Sequence, residues 1–439
     1  MQIATISPQP LNSATIHIPS SKSHSLRALY FAMLSHGTST LYNLLDSEDV
    51  RTMKQVVTSF GATIKEEKGV TYIKGIKGQF SQPPSLVYAQ NSGIIYRFFT
   101  ALASTMEKAT LITGDESIKS QRPIIPLLEA LKQVGVKIAA SAFGKAPFFI
   151  QGPWQSNKIT VEGSDSQYVS ALLYSAILQP EPVTIYVKNP KELPWLDLSC
   201  YWLKMRNIPL KRNGYYFFQT EARASIQPFS YVVTQDMSSA SFFIALALIA
   251  KVEITLAPFT VDHSQGDKAI LQAITLMGAT YRLQANALTI YPPSRQLSGI
   301  DFDLDSCVDA ICILAVLACF ASSPSTFVNI QSARGKESNR VEALQKELQK
   351  MGANIEVEHN KMTVFPSILY GAALHSHQDQ RMAMALTIAA VGAKGVSEIH
   401  AVECAAKTFP TFFEEIKKTG ANIEVTTEDR VVLHKTSHR

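Results

Sequence analysis

The chain has 439 residues, 46% hydrophobic and 18% charged, which provides apolar side chains for two domain cores and excludes a disordered chain. Its formal net charge of +5 is a mild, dispersed excess. That balance excludes a nucleic-acid face built on basic tracts and suits an enzyme that gathers small anions.

The first twenty residues have neither the basic start nor the apolar run of a secretion leader. From Ser21 the segment SKSHSLRALYFAML predicts an apolar helix opened by small polar residues, and VVTSFGATI then ends a second helix at Gly61. The same order recurs with NSGIIYRFFTALAS from Asn91 and LKQVGVKI with Gly135. Between them lies SQRPI, where Arg122 precedes Pro123, a residue suited to a first helical turn. A third copy pairs DSQYVSALLYSAIL from Asp165 with WLKMRNIPL, in which Asn207 stands in the glycine place. The fourth pairs DMSSASFFIALALI from Asp236 with ITLMGATY and Gly278. The fifth pairs DSCVDAICILAVLA from Asp305 with GKESNR and LQKMGANI, at Gly352. The sixth pairs HQDQRMAMALTIAA from His377 with AAKTFP and IKKTGANI, at Gly420. Of the five cysteines, Cys307, Cys312 and Cys319 belong to the fifth apolar stretch and read as buried small hydrophobes; Cys200 and Cys404 form no CxxC pair with anything. A reducing, cytoplasmic location is expected. The apolar runs at 242–250 and 311–321 are too short to span a bilayer and read as buried helices.

Successive landmarks are 74, 72, 71, 74 and 68 residues apart. Two motifs recurring in register along the whole chain imply six copies of one α/β unit. Gly or Asn after a helix supplies the left-handed cap that releases the chain into a strand. Ser, Asp and Asn at the helix openings accept hydrogen bonds from free amides. If two domains of three units face each other, the starts of the buried helices converge on one cleft and favour anions.

The openings also hold the residues with chemistry. Lys22, Ser23 and Arg27 cluster on the first, Arg97 follows Gly93 on the second, and Ser166 and Gln167 open the third. The second half supplies Asp309, then Lys336, Glu337 and Arg340, then Arg381 and Lys407. A lone Lys or Arg is usually a solvated charge. Here several stand at equivalent places of a repeat. The spacing of Lys336 and Arg340 puts both on one helical face if the segment is helical.

SKSHSLRA, NSGIIYRFFTAL, QRPI, DSQYVSALL, QDMSSASFF, SQGD, DAICILAVLACFA, GKESNR, QDQRMAMAL and AAKTFP together resemble the 3-phosphoshikimate 1-carboxyvinyltransferases (EPSP synthases), over essentially the whole chain. The resemblance implies an α/β fold, a two-domain inside-out α/β barrel of six βαβαββ repeats, three per domain. It divides the chain into residues 1–20 plus 235–439, carrying Asp309, Lys336, Glu337, Arg340, Arg381 and Lys407, and residues 21–234, carrying Lys22, Arg27, Gly93, Arg122, Ser166 and Gln167. The implied reaction moves the enolpyruvyl group of phosphoenolpyruvate to the 5-hydroxyl of shikimate 3-phosphate and releases phosphate, in the pathway to chorismate and aromatic amino acids. It implies no cofactor, no metal, no nucleic-acid or membrane partner, and a monomer.

The resemblance assigns Asp309, Glu337 and Lys22 to catalysis. It assigns Lys22, Gly93, Arg122, Gln167, Arg340, Arg381 and Lys407 to phosphoenolpyruvate. Lys22, Ser23, Arg27, Ser166, Gln167, Asp309, Ser332 and Lys336 go to shikimate 3-phosphate. Asp309 is to accept the hydroxyl proton and Glu337 to deliver a proton to C3.

The chain departs from the family pattern at several of these places. Asp165 and Glu192 replace hydroxyls near the expected shikimate phosphate, and Trp195 replaces a Tyr. Both acids repel a dianion if turned inward; Asp165 is instead expected to cap its helix. Ser332 stands for Asn and Gln380 for a His, so any proton role of that His is lost. Ile94 and Phe98 replace Thr and Pro, which disfavours phosphonate inhibitors such as glyphosate. The core set Lys22, Asp309 and Glu337 is intact. Three alternatives follow: an enolpyruvyl transferase with a different acceptor, a non-catalytic anion-binding descendant, and the sister enzyme acting on UDP-N-acetylglucosamine. The last is disfavoured because GDESIKSQR lacks its reactive Cys and Lys22 is followed by Ser23, not Asn.

Overall fold

The computed structural model of the chain describes residues 1–78, 84–141 and 144–428. Among them are six four-stranded sheets, all with the same strand order. One shows the pattern. Lys158–Glu162 and Thr184–Lys188 pair in parallel, Phe217–Thr220 runs antiparallel to the second, and Leu210–Asn213 closes the edge. Helices Ser166–Ala176 and Leu193–Met205 link these strands, so the unit reads βαβαββ. Alternation explains the local choice: in KITVE, Ile159 and Val161 face inward and are buried.

Three units borrow a strand from elsewhere in the chain. Ser230–Val232 pairs with Thr38–Tyr42 in the first sheet, and Ala14–Ile16 pairs with Ile254–Leu256 in the fourth. Gln2–Ser7 lies between Ser397–His400 and Asn422–Thr427, antiparallel to both, in the sixth.

The six expected buried helices are present: α1 (Lys22–Leu34), α2 (Gly93–Ala103), α3 (Ser166–Ala176), α4 (Met237–Ala250), α5 (Ile311–Cys319) and α6 (Gln380–Gly392). They form the interior, with the sheets outside. α1, α2 and α3 belong to a core built from residues between 26 and 226. α4, α5 and α6 belong to a second core, from residues between 4 and 18 and between 237 and 423. Ser20 pairs with Gln235 in an isolated bridge where the chain passes from one core to the other.

Most local expectations hold. Gly61, Gly135, Asn207, Gly278, Gly352 and Gly420 all have positive φ, as a left-handed cap requires. Ser21, Asp165, Asp236 and Asp379 cap α1, α3, α4 and α6 through their side chains. Cys307, Cys312, Cys319 and Cys404 are buried, and Cys200 is half-buried.

Three starts differ from the sequence reading. α5 begins at Ile311, not near Asp305, because Cys307 leaves helical geometry (φ −149°, ψ 50°) and two 3-10 turns, Leu304–Ser306 and Val308–Ala310, precede it. α6 begins at Gln380, because His377 and Gln378 both have positive φ. The helix after Arg122 runs Ile125–Lys132 and places Pro126, not Pro123, in its first turn. The Pro123 carbonyl instead accepts from Arg97 and Tyr168.

Candidate active site

Five of the six buried helices aim their starts, or the turn just before them, at one cavity between the two cores. Ser23 comes from α1, Gly93 from α2, Ser166 and Gln167 from α3, Asp309 from the turn before α5, and Gln380 and Arg381 from α6. Lys22, Arg27, Arg122, Lys336 and Glu337 complete the walls, with the space enclosing ≈ 700 Å³ out to its open mouth. The start of α4 is covered: Gln265 accepts the amide of Met237, and Asp236 that of Ser239. Convergent helix starts concentrate partial positive charge, which favours anions in the cavity.

Its cations are held by acids, except Arg27. Lys22 sits 3.3 Å from Asp49. Arg122 reaches across the cleft to Glu337 at 2.7 Å, and Lys336 crosses the other way to Glu192. Arg381 lies 3.0 Å from Asp309. Arg340, 1% exposed, contacts Asp309, meets Glu337 at 2.6 Å and holds Asp379 at 2.8 Å. Arg27 donates to Tyr174, Ser23 and Ser199.

Burial pushes the Asp309 carboxyl up, but Arg381 and Arg340 outweigh it and hold it well below the usual carboxylate range. The same contest, with Arg122 and Arg340 as the cations, holds Glu337 well below its ordinary value. Burial disfavours charge on Lys336 too, yet Glu192 and Asp309 keep it raised. Both candidate proton carriers are therefore ionised in the unliganded cleft. An anion that takes over Arg122 or Arg381 weakens this hold and raises the acid's affinity for a proton.

Gly93 has a steric reason to be glycine. An added Cβ would lie 2.6 Å from the Arg97 guanidinium and 3.1 Å from Gln167 Oε1. Several buried polar atoms at the cavity lack partners among the described residues: Arg122 Nε, Arg381 Nε, Ser92 Oγ, Asp49 Oδ1 and Gln380 Oε1. Orphaned groups of this kind are ones that a polar ligand or a water can complete.

Not every sequence candidate reaches the cavity. Arg340 stands behind the wall, acting through Asp309, Glu337 and Asp379. Lys407 lies at the outer rim, donating to the Gln378 carbonyl at 3.1 Å, and lines a neighbouring hollow with Arg51 and Glu403. Ser332 sits in the 3-10 turn Gln331–Gly335, away from the lining. Arg97 is fully buried, bonded to Gln167, the Pro123 carbonyl and Asp165, and ties α2 to α3. Lys336 and Arg340 do not share a helical face. Lys336 is extended and the helix starts at Arg340, after Asn339 caps it and Ser338 bonds Asp379. That turn lets Lys336 and Glu337 reach different partners on the opposite core.

Of the two replaced hydroxyls, Asp165 caps α3 and pairs with Arg97, whereas Glu192 lines the cavity. Trp195, Ile94 and Gln380 line it too; Phe98 is buried beneath Arg27. Sequence reading missed Asp49, Asp379's hold on Arg340, and Asp267, since no spacing rule links acids on different units.

Asp267 is fully buried and pushed up to about 7, by burial first and by the nearby Asp309 charge second. A folded-state value above the unfolded one stabilises below about pH 4, and that benefit is lost as pH rises toward 7. Asp267→Asn should therefore flatten the fall in stability between about pH 4 and 7, where one such group accounts for up to about 1.4 kcal/mol per pH unit. Urea midpoints across that range check this; parallel curves for the two proteins would contradict it.

Among the described residues, no three His, Cys, Asp or Glu side chains are arranged to hold a metal ion, and no helix is long and apolar enough to cross a membrane.

Comparison with known proteins bears on the family and the fold. A family model described as EPSP synthase (3-phosphoshikimate 1-carboxyvinyltransferase) matches residues 7–416. The 3-phosphoshikimate 1-carboxyvinyltransferase of Chlamydia felis is 40% identical over 426 residues, covering 95% of this chain and 94% of that protein. The one from Chlamydia pneumoniae is 42% identical over 411 residues, covering 93% and 91%. The solved EPSP synthase from Acinetobacter baumannii has a TM-score of 0.81 at 23% identity, covering 97% of this chain and 100% of that one. An enolpyruvyl transferase from Streptomyces tendae has a TM-score of 0.77 at 16% identity, covering 98% and 99%. At those identities the two structures establish the fold, the two-domain inside-out α/β architecture. With the family model spanning nearly the whole sequence and relatives near 40% identity end to end, this chain belongs to the EPSP synthase, or 3-phosphoshikimate 1-carboxyvinyltransferase, family.

Proposed function

We propose that the cavity between the two cores is where this chain carries out its family's reaction, the transfer of enolpyruvate from phosphoenolpyruvate to the 5-hydroxyl of shikimate 3-phosphate. The observation that carries the assignment is the meeting of Lys22, Arg122, Lys336, Arg381, Asp309 and Glu337 around one space. On this reading residues 21–234 form one lobe and residues 1–20 with 235–439 the other. Both walls come from one chain, so a monomer suffices.

Two substrates bring two phosphates and two carboxylates into the space. Their mutual repulsion demands fixed cations. Lys22, Arg122 and Arg381 receive phosphoenolpyruvate, with Arg340 holding the acids behind them and Lys407 swinging in from the rim as the lobes close. Gly93 lets the α2 amide approach the phosphate. Ser23, Arg27, Ser166, Gln167 and Lys336 receive the acceptor. As anions engage Arg122, its hold on Glu337 weakens and Glu337 can take up a proton. Asp309 then draws the proton from the 5-hydroxyl as its oxygen bonds to C2, while Glu337 gives a proton to C3. In the second step the C2–O bond to phosphate breaks, a C3 proton is lost and the double bond re-forms. Lys22 offsets charge on the leaving phosphate.

Purified protein mixed with phosphoenolpyruvate and shikimate 3-phosphate should release inorganic phosphate, and omission of either substrate should reduce release to background. Release with another hydroxylated acid but none with shikimate 3-phosphate would move the assignment to a different acceptor. The inward-facing Glu192 is the observation that favours this second reading.

A further inference from the structure

Glu192 occupies an unusual position for an acid. It precedes the helix Leu193–Met205 in a left-handed conformation, φ 54° and ψ 45°, which disfavours any residue carrying a Cβ. Its backbone amide donates to Asp305 at 3.2 Å, which fixes the turn and directs the side chain inward. There the carboxylate, 2% exposed, is fully engaged. One oxygen accepts from the Lys336 ammonium. The other accepts from the Ser166 hydroxyl at 2.9 Å and from the Ser166 amide at 3.4 Å.

An ammonium, a hydroxyl and an amide at the start of an eleven-residue buried helix make a donor set suited to phosphate. Here the chain's own carboxylate takes all three. The turn that directs Glu192 inward is backed by Asp305 on the opposite core, so the arrangement is built by both halves of the molecule. We infer that Glu192 is an internal anion that competes with the acceptor's phosphate for Lys336 and Ser166, and so sets how strongly this chain prefers a phosphorylated acceptor. The inference rests on the reading above that Lys336 and Ser166 face the acceptor. Binding of a phosphorylated acceptor must turn Glu192 away or neutralise it, a cost that an uncharged acceptor does not meet. Burial already disfavours its charge, with Lys336 opposing and Asp165 reinforcing that effect.

Calorimetric titrations with shikimate 3-phosphate, shikimate and inorganic phosphate, on wild type, Glu192→Gln and Glu192→Ser, test this. Both variants should bind shikimate 3-phosphate and inorganic phosphate tighter by about ten-fold or more. Shikimate, which has no phosphate to compete, should change by less than about two-fold. Unchanged or weaker binding of both phosphate ligands in folded variants overturns the inference, because a merely structural ion pair would weaken every ligand alike. If freeing Lys336 prevents folding, a wild-type crystal structure with shikimate 3-phosphate decides. Lys336 on the phosphate with Glu192 turned away is expected; Lys336 still on Glu192 with the phosphate elsewhere overturns it. These measurements need no turnover. Absent phosphate release by wild type would count against the proposed reaction, while the inorganic phosphate titrations would still judge the competition.

Discussion

Asp309→Ala should reduce turnover by at least about three orders of magnitude while leaving phosphoenolpyruvate affinity nearly unchanged. General-base removal typically costs 10² to 10⁴-fold, and Asp309 is the cavity carboxylate set between Arg340 and Arg381. Those two arginines keep it ionised without ligand, which is the state a base requires. Its loss also frees the Arg381 guanidinium for an incoming anion, while Arg340 keeps Glu337 and Asp379, so ground-state binding should hold or improve. Asp309→Asn separates charge from shape: it keeps the side-chain volume and a hydrogen-bonding oxygen, yet cannot take a proton. Steady-state kinetics on both variants, with affinity measured separately by titration, check this. Near-normal turnover in either variant would remove Asp309 from the mechanism and leave it as a counter-ion to Arg340 and Arg381.

The second large effect concerns stability. Arg340→Met should destabilise the protein by about 3–5 kcal/mol, the range seen when one partner of a buried ion pair is deleted. Arg340 serves three acids at once, and Asp379 among them has no exposed surface. Asp379 also caps α6 by accepting from the Arg381 amide at 2.9 Å, so its misplacement would loosen the start of a core helix and Arg381 with it. Urea midpoints at pH 7 measure the loss. Arg340→Lys should recover part of it, since an ammonium replaces one contact but lacks the forked geometry. Acid supplies an independent check on the cause. Wild-type Asp309 and Glu337 have depressed values, so their contribution is present at neutral pH and fades as pH falls below about 4. In Arg340→Met the unpaired acids instead favour their neutral forms, so the gap between variant and wild type should narrow as pH falls. A gap that stays constant with pH would mean that lost packing, rather than unpaired charge, causes the destabilisation.

The repeat was legible because each copy carries the same local physics. A glycine or Asn207 with positive φ ends one helix, and a short polar side chain caps the next, and both act within a few residues of themselves. The apolar bodies of α1 to α6 likewise state their burial directly. The starts of α5 and α6 were misplaced for a tertiary reason. Cys307, His377 and Gln378 leave helical geometry in turns that bring Asp309 against Arg340 and lead to Asp379, and nothing in the neighbouring sequence records those partners. The GKESNR segment shows the same limit. Its spacing fits a helical face, yet Ser338 bonds Asp379 and Asn339 caps the next helix, so the chain turns and sends Lys336 and Glu337 to partners some 140 and 200 residues away.

By itself, the sequence determined the six-fold α/β repeat, the buried helices and the set of ionisable residues at their openings, because caps, periodicity and composition act locally. Only the tertiary structure decided which acid meets which cation. It set Arg97 to tie two helices together and to pair with Asp165, sent Glu192 into the cavity, and placed Arg340 behind the wall. Pairing of that kind depends on the distance and burial of charges far apart in the chain, and those quantities exist only once the two cores have formed around the cleft.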